Sequence, residues 1–553
     1  MNFKRYLILI LSFFGFNHVL NSQILDNLTS SFESFGAYYI DDSKTGDFSL
    51  DNRFRSNNYL NLKSNIKNKW NFELQIESFE PEPLLNFSPN FKKTNISTFN
   101  VQYVNTNLNI QAGNFYEQFG SGMILRFWED KNLGINNSIR GLNAKYRVND
   151  NIFISTLFGN QKKGFKYSKG YIFGFNSELD ISKITKNNST FLIGFSYVGR
   201  NDKKIKNDFY NGTTNLFSAR LDYSSNAFYS NIEIIDKASD PIYIFGTLSD
   251  TFIKKGSAIL LNSGYFKNGL GFDFTFRRLE NMTLYSERKA FGNEFNESIV
   301  NYLPALTKQH DYSLANLYVY AAQPNVSYQS NELTKVGEIG IQADLYYFIE
   351  RETLLGGKYG TNISLNTSFW NNLDGDFDFK NQNYNTELLG FGKKYFSEFS
   401  LEIRKKWSPN FKNIVLFINQ YYNKKFIEET FGEIKSNIII VENTLKINDK
   451  KSVRLELQHL STVDDTKNWS AYAFEYNLSS VFSLYFSDLY NYQNPKNDKK
   501  IHYYNLGGSY NKGLSRYTIN YGRQRGGLIC TGGICRYVPE SSGISFTITF
   551  SLF

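Results

Sequence analysis

Hydrophobic and polar residues alternate one for one in segment after segment of this chain. Asn71–Glu77 sets Phe72, Leu74 and Ile76 against Glu73, Gln75 and Glu77, and Phe272, Phe274 and Phe276 oppose Asp273, Thr275 and Arg277. Val453, Leu455 and Leu457 oppose Arg454, Glu456 and Gln458, and the runs Phe191–Tyr197 and Phe399–Ile403 repeat the pattern. Period two is a strand with unlike faces. Here one face is unusually aromatic and the other carries charges of both signs. About 24 such segments fit the chain, with a range of 22–26 set by uncertain strand ends.

The connections between them alternate in length. Asn511–Leu514, Ser479–Ser480, Asn448–Lys451, Ser408–Phe411, Tyr265–Gly269, Ser224–Asn226, Val148–Asn151, Asn105–Asn107 and Lys67–Lys69 read as tight turns. Tyr490–Lys500, Ser461–Lys467, Asn423–Ser436, Asp236–Lys255, Asn201–Thr213, Tyr116–Ser138 and Glu80–Ser97 read as long connections between them. Only Glu350–Gly360 is longer than its tight parity predicts. Strict alternation predicts an all-β fold, a large up-and-down transmembrane antiparallel β-barrel with short periplasmic turns and longer outer loops. All nine prolines fall in the expected connections, as their exclusion from paired strands requires. Trp70 and Trp407 adjoin tight turns while Trp370 and Trp469 adjoin long ones, which predicts two aromatic girdles. A soluble solenoid or a multi-sandwich adhesin accounts for neither the loop alternation nor so aromatic a face.

Composition agrees. Phe (51) and Tyr (39) abound, Met (3) is scarce, and no linker-like stretch interrupts 553 residues. A mean hydropathy of −0.42 looks soluble, but a barrel wall needs only every second residue apolar. Lys4 and Arg5 precede the apolar run Tyr6–Phe16, and Asn21-Ser22-Gln23 offers a cleavage point, so residues 1–22 read as a signal peptide. Residues 23–553 are then a single barrel domain in a Gram-negative outer membrane. The net charge of +9 is spread along the chain without a basic block, which argues against nucleic acid.

Export to an oxidising compartment makes Cys530 and Cys535, the only cysteines, a disulfide. The last strand must run down to a periplasmic C-terminus, so residues 526–542 form a disulfide-pinned extracellular loop. No His or helix N-terminus is evident to make the pair redox-active. The final strand, GISFTITFSLF, resembles the C-terminal strand read by outer-membrane assembly machinery, although Phe553 is out of phase with its apolar face.

Two segments are too organised for ordinary loops. Gly113–Gly141 mixes glycines, aromatic rings and charges, as a segment folded into a charged lumen would. Within it Glu117, Arg126, Trp128, Glu129, Asp130 and Arg140 are the candidates for a constriction formed by residues 116–138. The second, Asn301–Tyr320, lies inside the longest extracellular excursion, 281–335, and offers Lys308 and His310 as a loop site. Two cysteines and scattered histidines predict neither a metal site nor a cofactor.

FYEQFGSGMILR with LGINNSIRG, YLPALTKQHDYSLANLY and GGLICTGGICRYVPE resemble recurrent blocks of an uncharacterised family of Bacteroidota-type outer-membrane barrels. The resemblance spans most of the mature chain and implies a large barrel with no assigned catalytic residue. FYEQFGSGMILR also resembles, over a few residues, the constricting insert of substrate-selective porins. Three function classes follow. A channel for small solutes, constricted by 116–138, comes first. A non-conducting scaffold for secretion or barrel assembly, binding envelope proteins through its outer loops, is the alternative. An enzyme needs a Ser–His pair for which nothing positive speaks, so no catalysis is expected. The expected partners are outer-membrane lipid, the barrel-assembly machinery during biogenesis, and envelope proteins.

Overall fold

The computed structural model describes residues 28–182, 189–245, 247–289, 297–330, 332–430 and 432–552. The expected signal peptide and Phe553 lie outside them. Twenty-four strands form one antiparallel wall. The first eight are β1 Leu28–Tyr39, β2 Phe54–Ile66, β3 Trp70–Ser78, β4 Thr94–Val104, β5 Leu108–Phe115, β6 Ile139–Arg147, β7 Ile152–Lys163 and β8 Tyr171–Asp180. They continue as β9 Thr190–Asn201, β10 Thr213–Ser224, β11 Phe228–Ile244, β12 Thr247–Lys267, β13 Leu270–Glu280, β14 Glu338–Ile349, β15 Thr361–Asp378 and β16 Asn383–Lys406. The last eight are β17 Phe411–Asn423, β18 Glu433–Asn448, β19 Lys451–Ser461, β20 Trp469–Asn477, β21 Phe482–Tyr490, β22 His502–Lys512, β23 Ser515–Gln524 and β24 Ser541–Leu552. β24 returns to β1, from Ser30↔Leu552 to Tyr39↔Gly543, so the sheet closes and leaves no edge.

Alternation places a ring of side chains on the outside. Phe158, Phe195, Phe217 and Ile234 are each more than half exposed, while their neighbours Leu157, Val198, Leu216 and Ile235 are buried. Outward rings meet across strands, as Tyr197 and Phe217 do at 5.0 Å. Such a closed wall with an apolar outer face is an outer-membrane barrel, and β1 begins and β24 ends at the tight-turn end.

Three expectations change. Asp236–Lys255 is not a loop: β11 and β12 continue as a ribbon, and Pro241 pairs with Ile253 between two register shifts. A bulge accommodates a residue with no N–H to give the ladder. Trp370 and Trp469 are buried, so only Trp70 and Trp407 face outward as girdle residues. Trp370 points inward, where its indole N–H donates to the Leu306 carbonyl at 3.0 Å. Finally, 281–335 is not wholly an outer loop: Ala305–Tyr320 packs against inward-facing wall residues, while Ser327–Tyr328 pairs with the end of the β11–β12 ribbon.

Candidate functional site in the barrel interior

β5 and β6 stay paired up to Phe115↔Ile139, so residues 116–138 leave the wall at the end of a complete hairpin. They fold into two small ladders, Gln118–Phe119 with Leu125–Arg126 and Glu129–Asp130 with Ile135–Asn136. Met123, Ile124 and Leu125 are almost wholly buried against Leu157, Ile172, Val198, Leu216 and Ile235, the wall face opposite the exposed rings. The turn Phe119–Gly122 rests on wall charges. The Ser121 N–H donates to Glu233 at 3.0 Å, and a Cβ on Gly120, whose φ is +54, would meet Arg220 at 2.5 Å. Glycine is required there on both counts.

Several charges of this segment have wall partners. Glu117 pairs with Lys145 at 2.7 Å. Glu129 accepts from Gln75 at 2.9 Å and Asn136 at 3.0 Å, and Asn136 also reaches Glu77, which pairs with Lys162. Burial raises the Glu129 pKa above its ordinary value, against the opposing Gln75 hydrogen bond. Asp130 accepts the Leu133 N–H at 2.9 Å and so shapes the second ladder. The Arg126 guanidinium lies 4.0 Å from the Tyr302 ring and 5.5 Å from the Trp128 ring. Arg140 does not join them. It shares the parity of Leu142, which is 60% exposed, and faces outward beside Phe99 and Tyr167. The expectation that charge marks the lumen fails here because Ile139, the inward neighbour, is needed against the apolar insert.

The second segment crosses to the other side of the interior. Lys308 reaches Asp344 and the Tyr346 hydroxyl, both at 3.1 Å. His310 meets Glu398 at 2.8 Å, and the Leu314 N–H donates to Gln458 at 2.9 Å. Tyr312, Leu314, Tyr318 and Tyr320 pack on Trp370, Phe396, Leu416, Ile438 and Ile440. Asn301, fully buried, joins the two segments: its amide donates to the Met123 and Met282 carbonyls at 3.0 and 2.8 Å, and its oxygen accepts the Leu284 N–H at 3.0 Å.

A third element closes over both. Gly527–Thr531 and Ile534–Val538 form a hairpin in which Cys530 faces Cys535 in a disulfide. Its two-residue turn, Gly532-Gly533, has φ of +57 and +79, the geometry of a type I′ turn. Tyr302 donates to the Gly532 carbonyl at 2.7 Å and the Ala305 N–H to that of Gly533 at 2.9 Å. Arg536 donates to the Asn86 carbonyl at 2.8 Å, which brings in the loop after β3.

Sequence reasoning missed the ionic anchor of the second segment. Asp240 holds Arg200 at 2.7 Å, Lys237 at 3.2 Å and Arg288 at 3.6 Å, all without solvent exposure. Lys237 also donates to the Asn281 and Thr283 carbonyls. Two of these residues stood in Asp236–Lys255, which reads as a loop, so no signal linked them. Beneath the inserts, toward the tight-turn end, lie two cavities. One of about 670 Å³ is lined by Lys308, His310, Glu402, Arg404, Glu442 and Arg454. The other, of about 430 Å³, is lined by Ser121, Glu178, Arg220, Asp222 and Glu233. His459 pairs with the Tyr492 hydroxyl and His502 with Asp488.

Solved barrels are similar in outline. The siderophore receptor PirA from Pseudomonas aeruginosa shows 9% identity and a TM-score of 0.39 over 95% of this chain and 80% of that one. The P pilus usher (PapC) translocation pore shows 8% and 0.43 over 95% and 99%. The outer membrane protein opdK from Pseudomonas aeruginosa shows 8% and 0.37 over 95% and 99%. At these scores the likeness carries no functional content. No curated protein matches the sequence. A family model does match, over residues 2–552, and the chain belongs to that family of unknown function, DUF6029.

Proposed function

We propose that this outer-membrane barrel is a passage for small hydrophilic solutes, shut at rest by residues 116–138 together with the second insert. The observation that carries this reading is the dry packing of Met123–Leu125 on the inner wall, with a charged cavity beneath each insert. A barrel of this strand number is too wide for wall side chains to fill, so the chain's own inserts decide whether it conducts. Glu117, Arg126, Trp128, Glu129 and Asp130 form the constriction, and the mixed charges below it suit polar solutes of either sign. A non-conducting scaffold is the second reading, favoured by the same apolar seal and by the preformed disulfide hairpin.

Conductance in a planar bilayer separates the two. Asn301→Ala strands three backbone partners at the join between the inserts, at roughly 1–3 kcal/mol for each group left unpaired. Wild-type protein is expected to be silent and Asn301→Ala to conduct. Silence from both, with correct insertion, favours the scaffold. Steady conduction by the wild type means that the inserts leave an open pore and removes the resting closure.

A further inference from the structure

The outer wall beside the first insert carries a cation that the interior does not use. Arg140 is the first outward residue of β6 at the long-loop end, and the next outward residue, Leu142, already belongs to the apolar belt with Phe158 and Tyr171. One rung of two residues is about 7 Å, which sets Arg140 at headgroup level just above the acyl chains. It is exposed, and its guanidinium lies 5.0 Å from the Phe99 ring and 5.1 Å from the Tyr167 ring. Tyr167 is itself fixed by its hydroxyl, which donates to Asn114 at 3.2 Å.

One more cation stands by the same short stretch: Lys166, exposed, precedes Tyr167. Neither Arg140 nor Lys166 has a carboxylate partner among the described residues, whereas Lys145 and Lys162 nearby on the inner side both do. Lys145 and Lys162 are thus neutralised by the protein, and Arg140 and Lys166 are not.

We propose that Arg140 and Lys166 form a binding site for the phosphorylated headgroup of a lipid in the external leaflet, of the lipopolysaccharide class. The planar guanidinium, held near two rings, presents paired N–H donors to phosphate oxygens, and the lysine adds charge without fixed geometry. The apolar residues directly below receive the acyl chains of the same molecule. Free phosphate shares the headgroup chemistry but gains nothing from that apolar face.

The test is native mass spectrometry of the purified full-length protein with added phosphorylated lipopolysaccharide, against enzymatically dephosphorylated lipopolysaccharide and inorganic phosphate. Each cation removed, in Arg140→Gln, Lys166→Gln and the double variant, is expected to lower lipid retention about fivefold. Arg140→Lys should retain more than Arg140→Gln. Dephosphorylated lipid should bind no better than phosphorylated lipid binds the double variant. Heat-modifiable gel mobility checks that each barrel is assembled, and Lys166→Gln, in a surface hairpin, serves if Arg140→Gln does not fold. Undiminished retention by the double variant overturns the site, and full displacement of lipid by inorganic phosphate makes it a free-anion site instead.

Discussion

Glu129 shows what a single residue contributes to this interior. It is legible in the sequence as a charge in an insert, but its partners Gln75 and Asn136 are not, because they lie 54 residues before it and seven after it. Burial raises its pKa above the ordinary 4.5, so the seated insert binds a proton more readily than the released one. Seating is therefore favoured in full below the ordinary value, and the advantage is lost as pH rises through the elevated one. Hydrogen exchange of residues 129–136, corrected for intrinsic rates, should show stronger protection near about pH 5 than at neutrality. Glu129→Gln, which keeps the shape without the charge, should protect equally at both. A variant with the wild-type pH profile would exclude Glu129 as the source. Arg140 teaches the complementary lesson. Charge marks the lumen only where the lumen is wet, and beside an apolar insert the inward positions are Ile139 and Leu157 while the charge turns outward.

Among elements, the strands and most turns were readable because the wall obeys a strict period of two and a strict loop parity. The ribbons β11–β12 and β15–β16 were not, since paired backbone beyond the membrane needs no apolar face to mark it. The disulfide hairpin was readable as a pair of cysteines in a glycine-rich excursion but not as a lid, because its contacts with Tyr302 and Ala305 span more than 200 residues. Closing so small a loop contributes about 2 kcal/mol, and that stabilisation acts on the hairpin alone. Cys530→Ser with Cys535→Ser should leave heat-modifiable mobility unchanged while raising proteolytic cleavage within 526–540. Collapse of the barrel band would mean that the hairpin supports the seam, whose strand β24 it precedes.

For the whole molecule, wall and interior are held by different physics. The wall is a closed ring of backbone hydrogen bonds in contact with lipid, and most of its ladder is formed between the strands themselves. The interior is held by buried apolar packing, by Asn301 and by the Asp240 cluster, and it contacts the wall through side chains. Since Phe115 and Ile139 already face each other in register, residues 116–138 can be replaced by a two-residue Asn-Gly turn without disturbing a wall pair. The shortened protein should still assemble and migrate as a folded barrel. Its second insert, deprived of Met123 and of the Arg126–Tyr302 stack, should become open to protease between 297 and 326, where the wild type is expected to resist. Cleavage there with the barrel intact would establish the inserts as one mutually supporting plug. Failure to assemble would make 116–138 a template on which β6 to β12 close, because Leu157, Ile172, Val198, Leu216 and Ile235 would then lack the surface against which their strands align.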